Sequence, residues 1–347
     1  MKIVVDRGIK SFEKIVTSIN GFDEVEFLFL ETEEITNDKL KDIEILFIRS
    51  TTSVDKTLVK NTKIKIVGSA TAGIDHLDTE YLNEEDIKWF CAKGSNSLSV
   101  VNYVMSAICY LKSENLFNIN DSVGIVGYGN IGKKLKAVLD TFSIKNSVYD
   151  PFLEHDFLCN INTIKECNLI SLHIPLTFKN SFPTNRLVDR VFLDDISNKT
   201  LINTSRGGIV NEESLLKNNK VNYISDVWIN EPTPNKKIID YSLLATPHIA
   251  GHSYNGKING TLYLIKRLQE LLHIDESVIF ENNKKMKGLS EVIRLKEPYS
   301  LEAFYSEYPI SKESSSFKRS YLGDLDDLKV TFESSRTNHY FRRDIQT

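Results

Sequence analysis

Val123-Gly124-Ile125-Val126-Gly127-Tyr128-Gly129-Asn130-Ile131-Gly132 runs an apolar strand pattern straight into G-x-G-x-x-G, and a second run, Ser147-Val148-Tyr149, ends at Asp150, eighteen residues after Gly132. Strand, glycines, helix and acid in this order form the dinucleotide-binding pattern in its required context. Gly127 permits the tight turn, Gly129 lets the backbone approach a pyrophosphate, and Gly132 lets a helix over residues 133–141 pack close to the sheet. The pyrophosphate is expected on that helix's N-terminus, at Asn130 and Ile131. Asp150 is placed to accept hydrogen bonds from the adenosine ribose diol, and its charge repels a 2′-phosphate, so the expected cofactor is NAD rather than NADP. Lys145, near the same strand end, is the one feature that pulls the other way.

Outward from this stretch, short apolar runs alternate with amphipathic ones. Before it lie residues 2–6, 24–30, 43–49, 64–68 and 87–91, with helical patterns at 11–19 and 99–112. After it lie 169–173, 200–203, 223–226 and 242–245, then a helical repeat over 258–274. The alternation implies parallel, helix-covered sheets in two tandem α/β units, the first ending near residue 96. Beyond about residue 281 the composition changes. Lys284-Lys285, Lys287 and Arg342-Arg343 are interleaved with Asp324, Asp326 and Asp327 and read as a solvated face. The aromatics Phe304, Tyr305, Tyr308, Phe317, Tyr321 and Phe332 mark a small folded third unit suited to assembly.

A chain of 347 residues with 41% hydrophobic and 26% charged residues is long enough for two or three domains, each with its own core. A net charge of -4 provides no general basic field, so nucleic acid is not an expected partner. The weakly polar run 97–111 contains Asn102 and is too short to span a bilayer, so no membrane association is expected. The N-terminus goes directly into a strand pattern without a signal-peptide core, and the expected location is cytoplasmic. Cys91, Cys109, Cys159 and Cys167 form no C-x-x-C pair and no metal-ligand spacing with histidine; they read as buried thiols of a reducing compartment, with no metal expected.

Three polar signals follow apolar runs, at the sheet edge where ligands bind in such folds. They are Asn203-Thr204-Ser205-Arg206-Gly207, Asp226-Val227-Trp228-Ile229-Asn230-Glu231-Pro232 and Thr246-Pro247-His248-Ile249-Ala250-Gly251. Taken singly, Arg206 reads as a surface ion pair, Glu231 as a loop acid and His248 as a core histidine. Together they provide what oxidation of a 2-hydroxy acid needs. An arginine holds the carboxylate by two parallel hydrogen bonds, a histidine takes the hydroxyl proton, and a carboxylate orients the imidazole.

On these residues, with Leu172-His173-Ile174-Pro175-Leu176 between them, the chain resembles the D-isomer-specific 2-hydroxyacid dehydrogenase family over roughly residues 1–275. The resemblance implies Arg206 as carboxylate clamp, Glu231 as the histidine's partner and His248 as general base in oxidation. It implies Ile174, Thr204, Ser205, Arg206, Asp226 and Gly251 as further cofactor contacts. It also implies a flavodoxin-like substrate domain (1–96 and 252–280), a Rossmann NAD domain (97–251) with the active site in the cleft, and a small α+β dimerisation domain (281–347). Within the family, Ile48-Arg49-Ser50-Thr51-Thr52, Ser69-Ala70-Thr71-Ala72-Gly73, Gly94-Ser95-Asn96 and Phe317-Lys318-Arg319-Ser320-Tyr321 resemble the members that act on a phosphorylated 2-hydroxy acid. Ser50 and Thr71 would then touch substrate, Arg49 and Lys257 are the nearest candidate phosphate cations, and the expected assembly is a homodimer. His252 stands where those members carry a substrate-contacting tyrosine, and is expected to donate a hydrogen bond in its place; Ser205 stands where they commonly carry cysteine. Two other readings stay open: a family member acting on another acid such as D-3-phosphoglycerate, and a non-catalytic NAD-sensing protein.

Overall fold

The computed structural model describes residues 1–274, 291–323 and 327–347. Lys284, Lys285, Lys287, Asp324, Asp326 and the expected boundary at 280/281 lie outside the described residues. The chain divides into two compact units, Met1–Asn96 with Ser253–Val292, and Ser97–His252 with Ile293–Thr347.

In the first unit β1 (Lys2–Asp6), β2 (Glu26–Leu30), β3 (Ile45–Ile48), β4 (Ile66–Ser69) and β5 (Lys88–Cys91) pair in parallel in the order β2-β1-β3-β4-β5. This is the flavodoxin-like order. The whole of β3 is buried, which is why it reads as a continuous apolar run instead of an alternation. Helix Tyr254–Leu272 belongs to this unit: Leu264, Ile265 and Leu268 pack on Ile3, Val5, Phe12 and Phe47. The Ser253 side chain caps it by accepting from the Gly256 N–H, and Thr261 donates to the Lys10 carbonyl at 2.7 Å. A Cβ on Gly260 would lie 2.0 Å from the Ala70 carbonyl oxygen, so this helix crosses the end of β4 at a distance only glycine allows.

In the second unit β6 (Ser122–Val126), β7 (Lys145–Tyr149), β8 (Leu169–Leu172), β9 (Thr200–Asn203), β10 (Asn222–Ser225) and β11 (Leu244–Ala245) form a parallel sheet ordered β11-β10-β9-β8-β6-β7. A parallel bridge between Val148 and Leu158, with the Cys159 N–H on the Val148 carbonyl at 2.8 Å, adds a one-residue strand outside β7. With it the order is that of the Rossmann fold, and the direction of winding reverses between β6 and β8. A strand of one residue carries no sequence pattern, so this edge escapes sequence reading.

The C-terminal segment is built into the second unit. Its strands β12 (Ile293–Arg294) and β13 (Ile345–Gln346) pair in parallel, and Leu301, Phe304, Tyr308 and Ile310 pack on helix Ser97–Ser113. Phe317, Tyr321 and Phe332 join Trp228, Ile238 and Ile239. The Asn102 amide meets the Ile345 backbone twice, donating to its carbonyl at 3.0 Å and accepting from its N–H at 2.6 Å. A helix buried on nearly every side is thereby explained: the tail covers the face that the sheet leaves open. Arg342, read from sequence as part of a solvated face, is instead 1% exposed, because its guanidinium lies 3.9 Å over the Tyr308 ring and donates to the carbonyls of Ser99, Ala250 and His252. All four cysteines are free thiols; three are buried and Cys159 is half-buried.

Gly260→Ala tests the packing of helix Tyr254–Leu272. Intrinsic propensity alone favours alanine by about 1 kcal/mol, whereas the contact with Ala70 should reverse the sign and cost about 1–3 kcal/mol. Urea unfolding measures the difference, and a more stable variant contradicts the packing described.

Candidate active site

The turn after β6 carries the fingerprint glycines, and each has its own physical reason. Gly127 has φ 98°, and a Cβ there would lie 2.4 Å from the His173 carbonyl oxygen. A Cβ on Gly132 would lie 2.0 Å from the Gly127 carbonyl, so helix Asn130–Thr141 starts against the turn itself. Gly129, which precedes that helix as its N-cap, is different: among the described residues nothing outside its own neighbourhood comes within 4 Å of a Cβ built there. The fingerprint loop is thus crowded at two glycines and open at the third, the arrangement that lets a pyrophosphate approach the backbone and the helix N-terminus. Asn130 is exposed and Ile131 half-buried beside that opening. The Asp150 carboxylate, after β7, accepts from the Tyr128 N–H at 2.9 Å and the Phe152 N–H at 3.0 Å, which holds it against the loop.

The turns after β8 and β9 are tied together. Ser205 is 6% exposed; its hydroxyl donates to the Leu172 carbonyl at 2.6 Å and accepts from the Ile174 N–H at 3.1 Å. His173 sits between Ser171 and Thr204, and burial pushes its imidazole down to about 3, so it is neutral. Asn203 closes the next turn, accepting from the Ser205 N–H and donating to the Arg206 carbonyl. Arg206 is half-buried, with one guanidinium nitrogen on the Ser205 carbonyl at 2.7 Å. A Cβ on Gly207 would lie 2.0 Å from the Trp228 carbonyl oxygen, so the arginine's turn is pressed onto the turn that carries Glu231.

After β10, Asp226 is 1% exposed. Its Oδ1 accepts from the Thr246 hydroxyl at 2.6 Å and the Ile249 N–H at 2.7 Å, and its Oδ2 from the Ala250 N–H at 2.8 Å. Burial raises this carboxyl above its ordinary range even though the bonds and His248 oppose the rise. The same turn brings Glu231 back: its Oε1 accepts from the Trp228 N–H at 2.8 Å, and its Oε2 lies 2.7 Å from His248 Nδ1. Burial would raise Glu231, but His248 and the Trp228 amide together hold it below the ordinary range, so it is ionised. A carboxylate only accepts, so His248 donates from Nδ1 and keeps Nε2 unprotonated in the neutral ring.

His248 itself has φ 58°, a left-handed backbone that few non-glycine residues adopt. The Asp226 bonds to the two following amides hold it there. Gly251 and His252 end this loop, both half-buried, and His252 Nδ1 lies 3.2 Å from His339 Nε2.

In the first unit Ser50 follows β3 and is exposed, while Thr71 follows β4 with its hydroxyl 2.8 Å from that of Ser69, which also meets His76. Both lie at the carboxyl edge of that sheet. Arg49 makes two 3.0 Å bonds to Asp6, which is 0% exposed and would otherwise be a buried unpaired charge. Lys257 lies in the first turns of helix Tyr254–Leu272.

Sequence reading missed Glu212. It is 8% exposed, accepts from the Ile229 N–H at 2.9 Å, and is pushed up to about 7 by burial, which outweighs that bond, with a smaller rise from the nearby Glu231. Its place in Asn211-Glu212-Glu213 reads as ordinary helix-start acid. His339 and Arg342 were missed because no spacing ties them to residues some ninety positions earlier. Among the described residues no group of three His, Cys, Asp or Glu side chains is arranged to hold a metal, and no helix is long and apolar enough to cross a membrane.

Comparison with known proteins shows the family and the fold. Residues 113–250 match the family described as D-isomer specific 2-hydroxyacid dehydrogenase, NAD binding domain. NAD-bound 3-phosphoglycerate dehydrogenase of Entamoeba histolytica superposes with a TM-score of 0.64 at 24% identity, over 77% of this chain and 94% of that one, which is a likeness of fold. Erythronate-4-phosphate dehydrogenase of Wigglesworthia glossinidia brevipalpis is 37% identical over 77% of this chain and 72% of its own length. The enzyme of the same name from Marinomonas sp. (strain MWYL1) is 30% identical over 99% of this chain and 93% of its own. Likeness along nearly the full length, C-terminal segment included, means that the chain belongs to the erythronate-4-phosphate dehydrogenase family.

Proposed function

We propose that this protein is an NAD-dependent erythronate-4-phosphate dehydrogenase, oxidising 4-phospho-D-erythronate at C2 to (R)-3-hydroxy-2-oxo-4-phosphooxybutanoate, a step of pyridoxal 5′-phosphate biosynthesis. The observation that carries this reading is the 2.7 Å His248–Glu231 pair, with Nε2 left as a base, on the same sheet edge as the open glycine turn. NAD would be held by Gly127, Gly129, Asn130, Ile131, Gly132 and Asp150, and would supply the hydride acceptor. Arg206 grips the substrate carboxylate and fixes C2. His248 Nε2 takes the C2 hydroxyl proton as the C2–H bond breaks, and ionised Glu231 stabilises the imidazolium that results. Asp226 and Gly207 hold the two turns in register, and Ile174, Thr204, Ser205 and Gly251 would line the nicotinamide end. Ser50, Thr71 and His252 are the proposed substrate contacts. The proposed assembly is a homodimer in the cytoplasm.

Product formation from 4-phospho-D-erythronate and from 3-phosphoglycerate, each with NAD and with or without 2-oxoglutarate to reoxidise retained NADH, is the primary test. Strong preference for the erythronate is expected; activity on 3-phosphoglycerate alone transfers the protein to another branch of the family, and tight NADH binding without turnover makes it an NAD sensor.

Arg206→Lys replaces a planar fork by a point charge and should cost about 2 kcal/mol, near thirty-fold in kcat/KM. Near-normal turnover removes Arg206 from the clamp role.

Glu231→Gln should lower kcat roughly a hundred-fold. An undiminished kcat in the folded variant contradicts the pairing.

A further inference from the structure

The peptide that joins Trp228 to Ile229 is held at both ends. It is trans, so its C=O and N–H point in opposite directions. The carbonyl end meets Gly207: a Cβ there would lie 2.0 Å from the Trp228 oxygen and 2.8 Å from the Ile229 nitrogen. The N–H end meets Glu212, whose Oε1 accepts from it at 2.9 Å. Glu212 opens helix Glu212–Asn218, a place where an acid ordinarily faces solvent and its own helix's first amides. Here Asn211 caps that helix by accepting from the Ser214 N–H, and Glu212, 8% exposed, is turned instead to an amide 17 residues ahead. The amide just before it, that of Trp228, binds Glu231 Oε1 at 2.8 Å, and Glu231 Oε2 meets His248 Nδ1 at 2.7 Å. Asn230 is left-handed at φ 62°, so the chain reaches Glu231 through a tight turn that starts at this peptide. Rotation of the peptide swings residues 229–231 against the Trp228 N–H and moves the carboxylate that His248 meets.

We propose that Glu212 is a positioning residue for the oxidation: by binding the Ile229 N–H it fixes the Trp228–Ile229 peptide, and with it the place from which Glu231 meets His248. This rests on the dehydrogenase reading above, in which that pair takes the substrate's proton. Glu212 acts on the reaction only through the peptide. The requirement at position 212 is an acceptor and not a charge. Burial pushes the Glu212 carboxyl up to about 7, and protonation leaves its second oxygen able to accept. Glutamine, which has the same length and an amide oxygen, meets the requirement; methionine fills a similar volume without an oxygen.

Turnover of 4-phospho-D-erythronate with NAD and 2-oxoglutarate by the full-length protein reads the role. Proton NMR of the His248 Nδ1–H reads it independently, since a carboxylate acceptor moves that resonance far downfield; it is assigned by its absence from His248→Asn. Glu212→Met should lower kcat roughly tenfold, the worth of a hydrogen bond left unmade, with KM little changed, and should shift or broaden the resonance. Glu212→Gln should keep kcat within about twofold of wild type and keep the resonance. Glu212→Ala also lacks the acceptor and carries the test if methionine disturbs folding. A residue that served stability alone would lower the urea midpoint in the methionine variant yet leave kcat and the resonance of the folded enzyme unchanged. That result overturns the proposal, as does a folded Glu212→Gln that loses as much activity as the methionine variant. A wild type that turns over neither 4-phospho-D-erythronate nor 3-phosphoglycerate overturns the dehydrogenase reading, and the proposal with it.

Discussion

One carboxylate that is 1% exposed organises the carboxyl edge of the second unit's sheet. Asp226 ends the strand run of β10 and receives the Thr246 hydroxyl and the N–H groups of Ile249 and Ala250. Its own carbonyl receives the His248 N–H at 2.7 Å. Those bonds bracket His248 and keep it in a left-handed conformation that a histidine does not choose alone. Each buried amide left without this acceptor would cost about 1–3 kcal/mol, so the loop has little freedom to place its imidazole elsewhere. Tyr103 continues the chain, its hydroxyl 2.7 Å from that of Thr246, so the knot is joined to helix Ser97–Ser113 as well.

Backbone contact does the rest of the positioning. Gly207 is pressed against the Trp228 carbonyl, Trp228 donates from its ring nitrogen to the Thr246 carbonyl, and its N–H holds Glu231. Arginine, glutamate and histidine arrive from three different turns, yet one tryptophan and one glycine couple all three. Glu212 adds a second acid to the same turn by binding the next amide, that of Ile229. Two carboxylates on adjacent amides cannot be equally easy to ionise. Glu231 has His248 for a partner and stays charged; Glu212 has burial and a like charge against it, and its proton is held up to about 7.

The C-terminal segment is a structural part of the second unit. Asn102 and Ser106 of helix Ser97–Ser113 bond to the backbone of Ile345 and Tyr308, and Arg342 reaches the carbonyls at both ends of the Ala250–His252 stretch. Arg342 is buried in a polar and aromatic cage, which offsets the cost of removing a guanidinium from water. The tail thus supports the end of the same loop whose beginning is held by Asp226.

Most of the architecture was legible along the chain because its causes are local. Gly127, Gly129 and Gly132 occupy positions set by one turn, parallel strands buried on both faces leave continuous apolar runs, and Arg206, Glu231 and His248 each follow such a run, where strand direction alone assigns them to one edge. The losses were non-local. The Leu158 bridge is too short to have a pattern, and Arg342 resembles any solvated arginine until Tyr308 comes beneath it. The same holds for protons: sequence places His248 near an acid, but the Glu231 carboxylate oxygen at Nδ1 decides which nitrogen of the neutral ring carries hydrogen. Sequence by itself determined the two parallel α/β units, the dinucleotide turn and the gathering of Arg206, Glu231 and His248 at one sheet edge, since these follow from periodicity and turn chemistry within a few residues. Only the tertiary structure decided which charges are paired and which way each hydrogen bond runs, because those depend on acceptors that the chain brings together from far apart.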